Sequence, residues 1–399
     1  MTRRKFLKQS GVLAATSALG SNRILRGTEP ATDDLSGHIV EHAEFKNVRF
    51  SYPRSVGKNG RIGHHGQHKS VPIAKIHTNQ GAMGWGIAPG NAQQNQRLID
   101  AVVGKPLNEL FNVGVGILDG VPQRFDFALH DLAGISLDQP VYKLLGTKGK
   151  KANTVYSGMI YLDELEPVDN PAGFDKVIEN CQWDIDYGYR QLKVKIGRSG
   201  RWYPHDEGLR ADIAIVNRIH EMFADQGVVI LVDANDVYSF QDTIDFLHGI
   251  KDVPLYWLEE PFVEERKKCK QLRQWMDSNG FEKTLYADGE REPNLKLCSE
   301  LYKQGSLDVC LHDINSYGFT KWRKLMPKLI ETKTVVSPHA WGSRFKTQYC
   351  AHLAAGLGNF CTIEGVTCES EDVDFGDYSI KDGKLHVSDK PGFGMKLLV

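Results

Sequence analysis

Lys193-Val194-Lys195, Asp233-Ala234-Asn235, Glu259-Glu260-Pro261, Asp288-Gly289-Glu290, Asp313, His339 and Glu364 each close a short apolar run. Taking one residue per run, the steps from Lys195 to Asp233, Glu259, Glu290, Asp313, His339 and Glu364 are 38, 26, 31, 23, 26 and 25 residues. One strand-helix unit needs roughly 30 residues. Seven consecutive units would therefore each deliver an ionisable group to the same end of a strand. Any one of these residues is ordinary, since an Asp after a strand is often a helix N-cap. Capping explains neither the lysine pair nor Pro338-His339-Ala340-Trp341-Gly342 after an apolar run.

The residue types name a chemistry. Asp233, Glu259 and Glu290 come from three successive runs. Three carboxylates without Cys or His suit a hard cation, with Mg2+ the first choice. Glu260 and Asp288 are competing ligands, but side chains alternate along a strand, so Glu259 and Glu260 cannot both point inward. Lys193 and Lys195 are two apart and share a face. Crowding beside a metal would lower a lysine pKa enough to make it a base. An Asp313 bonded to His339 would fix the imidazole tautomer and raise its basicity. Two bases would then flank a substrate held between them. A hydrogen next to a carboxylate needs such a site. Its acidity lies on the order of 20 pKa units, or on the order of 27 kcal/mol, beyond a lysine or histidine base. A divalent ion, Lys193 and an acid at Glu364 would stabilise the enediolate that forms.

The elements that position these groups are short strands alternating with amphipathic stretches. The runs are Gln191–Ile196, Val228–Asp233, Leu255–Glu259, Thr284–Ala287, Leu307–Leu311, Lys333–Ser337 and Cys361–Glu364, with an eighth at Val155–Tyr161. Segments such as Ala211–Ala224 and Ser239–Gly249 between them have helical periodicity. This alternation predicts an α/β fold with a parallel sheet closed as a (β/α)8 barrel over 151–375. Residues 38–150 read as α+β, with strands up to about residue 100 and a helical stretch from Gln123 to Leu145. The stretch 376–399 loses the alternation and is expected to return to that first unit.

Composition sets outer limits. The net charge is -1, and no basic stripe marks a nucleic-acid partner. No apolar run reaches the roughly 20 residues that span a bilayer. Seven scattered cysteines show no C-x-x-C pair and no zinc spacing. At the N-terminus, Arg3-Arg4-Lys5-Phe6-Leu7-Lys8 precedes the small-residue stretch Gly11 to Gly20. That order is similar to a twin-arginine export signal over residues 1–30, which implies a periplasmic protein. Without a signal there, the protein would be cytoplasmic.

Together these motifs resemble the mandelate racemase branch of the enolase superfamily. Further points of likeness are Phe127-Ala128-Leu129-His130-Asp131-Leu132-Ala133-Gly134, then Pro140-Val141-Tyr142-Lys143-Leu144-Leu145-Gly146, and Pro391-Gly392-Phe393-Gly394. The resemblance implies a modified TIM barrel under an N-terminal α+β capping domain, one Mg2+ and an enolate intermediate. It implies a small carboxylate substrate and a homo-oligomer, since relatives are often dimers or octamers. It also implies that the loop from Tyr52 to His68 closes over the substrate, with His64, His65 and His68 on it. Tyr52, His65 and Asn235 are candidate substrate contacts. The position after the seventh-strand His varies with substrate in this family, so Trp341 and Arg344 are candidate specificity residues. Members with both Lys-x-Lys and the His/Asp pair are mostly acid-sugar dehydratases, with Lys195 as base and His339 as acid. The implied reaction takes an aldonate or aldarate to a 2-keto-3-deoxy acid. A racemase, epimerase or cycloisomerase is the alternative, and a non-catalytic exported sugar-acid binder is another.

Overall fold

A computed structural model describes residues 35–290 and 292–399. The twin-arginine stretch lies outside the described residues. The described chain opens with an antiparallel sheet of β1 (Val40–Val56), β2 (Gly66–Thr78) and β3 (Met83–Ile87), in that order. Val48, Phe50 and Tyr52 recur at spacing two on β1 and are buried, as a half-covered strand requires. The sheet packs on α1 (Asp126–Ser136), which α2 (Val141–Leu145) follows. A Cβ on Gly84 would lie 2.4 Å from Leu132 N, and one on Gly86 would lie 2.4 Å from Phe127 Cβ. Only glycine lets β3 lie so close to α1.

Eight parallel strands follow: β4 (Ala152–Ile160), β5 (Gln191–Lys195), β6 (Val229–Asp233), β7 (Trp257–Glu259), β8 (Leu285–Asp288), β9 (Val309–Cys310), β10 (Val335–Val336) and β11 (Ile363–Gly365). A helix follows each of the first seven. These are α3 (Phe174–Tyr187), α4 (His205–Phe223), α5 (Phe240–Gly249), α6 (Arg266–Ser278), α7 (Leu295–Gln304), α8 (Phe319–Thr332) and α9 (Arg344–Leu357). Neighbours pair in sequence from β4 to β10, and β11 pairs with β4. A bridge between Val336 and Phe360 closes the ring. The fold is the capped (β/α)8 barrel expected from the sequence. The run read as an eighth strand, Val155–Tyr161, is the first strand of the ring.

Barrel strands are buried on both faces, which is why they read as apolar runs rather than alternating ones. Tyr156, Leu231, Trp257, Ala287, Val309 and Leu311 cluster as one packed layer. Leu231 and Trp257 stand two residues before Asp233 and Glu259, so each acid sits one layer above an apolar plug. The C-terminal residues divide between two places. A hairpin of β12 (Ser379–Lys381) and β13 (Lys384–His386) pairs antiparallel with the start of β4. Beyond it, Phe393 N and Trp85 N both donate to Asp131 of α1.

His352 of α9 ties these parts together. Its Nδ1 accepts from Tyr142 N at 3.0 Å, and its Nε2 faces the Tyr378 hydroxyl at 2.6 Å. Tyr378 in turn donates to Phe393 O. Burial pushes the His352 pKa down to about 3. The folded protein therefore keeps this imidazole neutral, while the unfolded chain protonates it near pH 6.5. Its contribution is full above pH 6.5 and is lost as pH falls toward 3, at up to about 1.4 kcal/mol per pH unit. Denaturant titrations across pH should show His352→Gln less stable than wild type at pH 8 by about 1–3 kcal/mol. The same variant should lose less stability between pH 6 and 4. An unchanged acid slope would contradict this assignment.

Candidate active site

Strand pairing sets the acids side by side. Lys195 pairs with Asp233, Asp233 with Glu259, and Glu259 with Ala287. Glu290 lies beyond the end of β8, after the left-handed Gly289. Asp233, Glu259 and Glu290 each offer an oxygen, and these atoms lie within 4.8 Å of one another. Burial first, and then Asp233, raises the Glu259 pKa well above the carboxylate range. Glu259 Oε2 and Glu290 Oε2 are buried and take no hydrogen bond. An all-oxygen set with orphaned oxygens and excess negative charge fits a hard divalent cation such as Mg2+.

The two competing acids stand outside this triad. Glu260 has a φ of 39°, a left-handed turn that breaks the strand directly after Glu259. Its Oε1 accepts from Glu290 N at 3.2 Å, so it orients the third acid. Asp288 Oδ1 accepts from Gly289 N at 2.7 Å. Asn235 and Asp236 also adopt positive φ, at 48° and 59°. Asn235 N donates to Asp233 Oδ1 at 2.8 Å, while the Asn235 Oδ1 is buried without a partner. Such left-handed non-glycine residues cost energy and persist where surrounding structure holds them.

Lys193 Nζ lies 2.8 Å from Glu259 Oε1, 3.1 Å from Glu364 Oε1 and 3.4 Å from Asp233 Oδ2. Lys195 Nζ donates to Asp233 Oδ2. The rings of Tyr156 and Tyr161 lie beneath the two ammonium groups, at 5.3 and 5.5 Å. Burial lowers both lysine pKa values, but the surrounding carboxylates outweigh it and raise them above the ordinary value. The acids that hold these protons are the ones a bound cation would neutralise. Glu364 lies beside Lys193. Burial would raise its pKa, but Lys193, His339 and the Ala340 backbone N–H hold it below the usual range. Its Oε2 accepts from Ala340 N at 2.6 Å and Trp341 N at 2.7 Å. Glu364 is a carboxylate that orders Lys193 and the loop after β10, not a resting acid. A Cβ on Gly158 would meet Glu364 Oε1 at 2.7 Å, so the space for this carboxylate depends on that glycine.

Across the mouth stands His339. In the ring, β5 and β10 are three steps apart one way and five the other. The acids of β6 to β8 occupy the longer arc, and Glu364 on β11 lies in the shorter one. His339 Nδ1 meets Asp313 Oδ2 at 2.9 Å, and its Nε2 lies 3.1 Å from Glu290 Oε1. Burial lowers the His339 pKa, but Glu290, Glu364 and Asp313 outweigh it, so it holds its proton more tightly than a free imidazole. Asp313 Oδ1 accepts from the N–H groups of Asn315 and Ser316. Lys346 Nζ reaches Asp313 Oδ2 at 2.7 Å, beside the histidine. The sequence reading missed Lys346, Tyr156 and Tyr161. Only the two tyrosines had a signal, their place in the Val155–Tyr161 run.

The cap supplies an aromatic wall. The His65 ring lies 4.5 Å from Trp341 and 5.0 Å from Tyr161. Burial, then Lys195, lowers the His65 pKa to about 4, so this imidazole is neutral. His65 Nε2 and Trp341 Nε1 are buried without partners, as substrate-facing groups would be. His64 and His68 bond Ser55 and Ser51 on the exposed side. The Tyr52 hydroxyl donates to Gly342 O at 2.8 Å, so this side chain latches the cap to the barrel. Arg344 turns away from the wall. Its guanidinium packs 4.8 Å from the Phe375 ring and donates to Tyr378 O at 3.4 Å.

A capped (β/α)8 barrel with three acids on successive strands, a Lys-x-Lys strand and a His/Asp pair defines a class of metal-assisted proton-abstracting proteins. The chain belongs to the enolase superfamily, and residues 176–398 match the family described as "Enolase C-terminal domain-like". It is similar to a galacturonate dehydratase from Geobacillus sp. solved with D-galacturonate and 5-keto-4-deoxy-D-galacturonate. The two share 32% identity over 91% of this chain and 95% of that one, with a TM-score of 0.83. A mutant of a Geobacillus sp. galacturonate dehydratase has been solved with Mg. A D-gluconate/D-galactonate dehydratase of Picrophilus torridus is 22% identical over 82% of this chain and 86% of its own. An arabinonate dehydratase of Saccharolobus solfataricus is 27% identical over 34% of this chain. That match spans 32% of the relative.

Mg2+ should raise the melting temperature of the wild type, by an amount corresponding to about 2.7 kcal/mol at a hundredfold excess over Kd. Asp233→Asn and Glu290→Gln should each abolish most of this shift. Calorimetric scans with Mg2+ and with a chelator check it. A shift of equal size in both variants would place the ion elsewhere.

Proposed function

We propose that the chain is a lyase that removes water from a small sugar acid. The observation that carries this reading is the pair of proton-transfer groups facing each other over the acid triad, Lys195 on one side and His339 on the other. Lys195 takes the hydrogen next to the substrate carboxylate. The electron pair of that C–H bond forms the C=C bond of an enediolate. Asp233, Glu259 and Glu290 would hold Mg2+, which would supply positive charge for that build-up of negative charge. Lys193 adds a second charge at the same oxygens. The enediolate then collapses and expels the neighbouring hydroxyl, which leaves as water with the proton of His339. The enol left behind tautomerises to a keto-deoxy acid. Asp313 keeps Nδ1 engaged, so Nε2 is the nitrogen that transfers the proton. Trp341 and His65 offer N–H groups to substrate hydroxyls, and the cap excludes water.

The galacturonate, gluconate/galactonate and arabinonate dehydratases among the relatives support a substrate drawn from the uronates, aldonates and aldarates. The Arg3-Arg4 stretch supports export and a periplasmic place for the reaction, which cell fractionation locates. The family resemblance supports a homo-oligomer.

With Mg2+ and a panel of these three classes, the purified protein should form a keto-deoxy acid from at least one. Lys195→Ala and His339→Ala should each lower kcat by about 100-fold or more, the scale of acid-base catalysis. Wild-type rates in both variants would remove the enzymatic reading. Hydrogen exchange in D2O without any keto acid would redirect it to a racemase or epimerase.

A further inference from the structure

A second cavity of about 240 Å³ lies outside the barrel ring. It is bounded by α9, the chain leaving β11 and the β12–β13 hairpin. Arg344, Gln348, Thr367, Tyr187, Ile380 and Leu385 are among the residues that line it. We propose that this cavity binds a small polyhydroxylated carboxylate, at a site separate from the barrel mouth.

Three features of the lining select that chemistry. Arg344 is the one formally charged group in it. Among the described residues, no carboxylate lies within ion-pair distance of this guanidinium, which has only Tyr378 O at 3.4 Å and the Phe375 face. A planar fork of donors without an acid is a carboxylate receptor. Gln348 is 1% exposed, and its Nε2 donates to Phe375 O at 3.3 Å. Its Oε1 is buried and accepts nothing. A ligand hydroxyl would satisfy this orphaned acceptor. Ile380, Leu385 and the Tyr187 ring supply an apolar side, and Tyr187 is itself held by stacking on Trp183 at 5.4 Å. The C–H face of a sugar ring or chain matches that side. Inorganic phosphate has no such face, and a fatty acid has no hydroxyl for Gln348. The volume is below the roughly 300–1,000 Å³ of sites for drug-sized ligands and suits a single monosaccharide-sized molecule.

The cavity lining touches the strand that carries Glu364. Thr347, adjacent to Gln348, donates to Glu364 O at 2.8 Å and accepts from Val366 N at 3.1 Å. Arg344 opens α9 directly after Trp341 and Gly342, which hold Glu364 and Tyr52. A ligand bridging Arg344 and Gln348 would fix the first turn of α9 beneath the loop that closes the mouth.

The test is calorimetric titration of the full chain with Mg2+, using D-galacturonate as probe, D-galactose as the uncharged control and phosphate as the plain anion. Two molecules of D-galacturonate should bind per chain. Arg344→Met and Gln348→Leu should each weaken one of these by at least tenfold and leave the other in place. Gln348→Glu keeps the volume and should weaken the same site by charge repulsion. A crystal soaked in D-galacturonate should show it between Arg344 and Gln348. Absence of any binding event that these three variants weaken overturns the proposal, whatever the number of molecules bound. Equal competition by phosphate also overturns it, by reducing the cavity to a general anion site. The binding is read without turnover, so failure of the dehydratase reading would leave this outcome intact.

Discussion

The barrel mouth concentrates like charge in a buried place. Asp233, Glu259 and Glu364 are essentially fully buried, and Glu290 stands beside them. Two carboxylates 4.8 Å apart repel by roughly 3–4 kcal/mol even at an effective dielectric of 20. That is a large part of the stability of an ordinary domain. The cost persists because the acids are fixed by strand register, and because Lys193, Lys195 and His339 stand among them. The remaining positive charge fits a divalent ion. The chemistry follows from the same constraint, since a cation held by the triad, together with Lys193, would supply the positive charge that a developing enediolate needs.

The frame answers to that need. The packed layer below the acids keeps each strand end from sagging, with Leu231 and Trp257 directly beneath Asp233 and Glu259. The left-handed residues Asn235, Asp236 and Glu260 turn the chain away at once, so that each strand contributes one acid to the triad. Glu364 serves two elements together, accepting from the loop after β10 and neutralising Lys193. The cap closes through Tyr52 and the His65–Trp341 contact. His352 and Asp131 lock the cap helices to α9 and the C-terminal segment.

Much of this was legible in the sequence. Parallel strands buried on both faces read as apolar runs, and residues at their ends share one side of the barrel. The period of about 30 residues therefore exposed the acids, the lysine pair and the His/Asp pair together. What could not be read was local turning and long-range contact. The φ of Glu260 decides which of two adjacent glutamates joins the triad. Tyr52 read as a substrate contact because nothing in the sequence shows its hydroxyl reaching Gly342 across 290 residues. Arg344 follows Trp341 closely but lies on the first turn of a helix, which swings it to Phe375. Nor does the sequence show how closely the carboxylates surround Lys193 and Lys195, where they outweigh burial and raise both lysine pKa values.

The account stands on Lys195 and His339 having separate tasks on opposite sides of one substrate. The direct measurement is proton NMR in D2O with Mg2+, following the hydrogen next to the carboxylate and the keto-deoxy product together in Lys195→Met and His339→Asn. His339→Asn should exchange that hydrogen while forming no product, and Lys195→Met should do neither. Product formation at the wild-type rate in either variant, or loss of exchange in both, would contradict a division of labour across the barrel mouth.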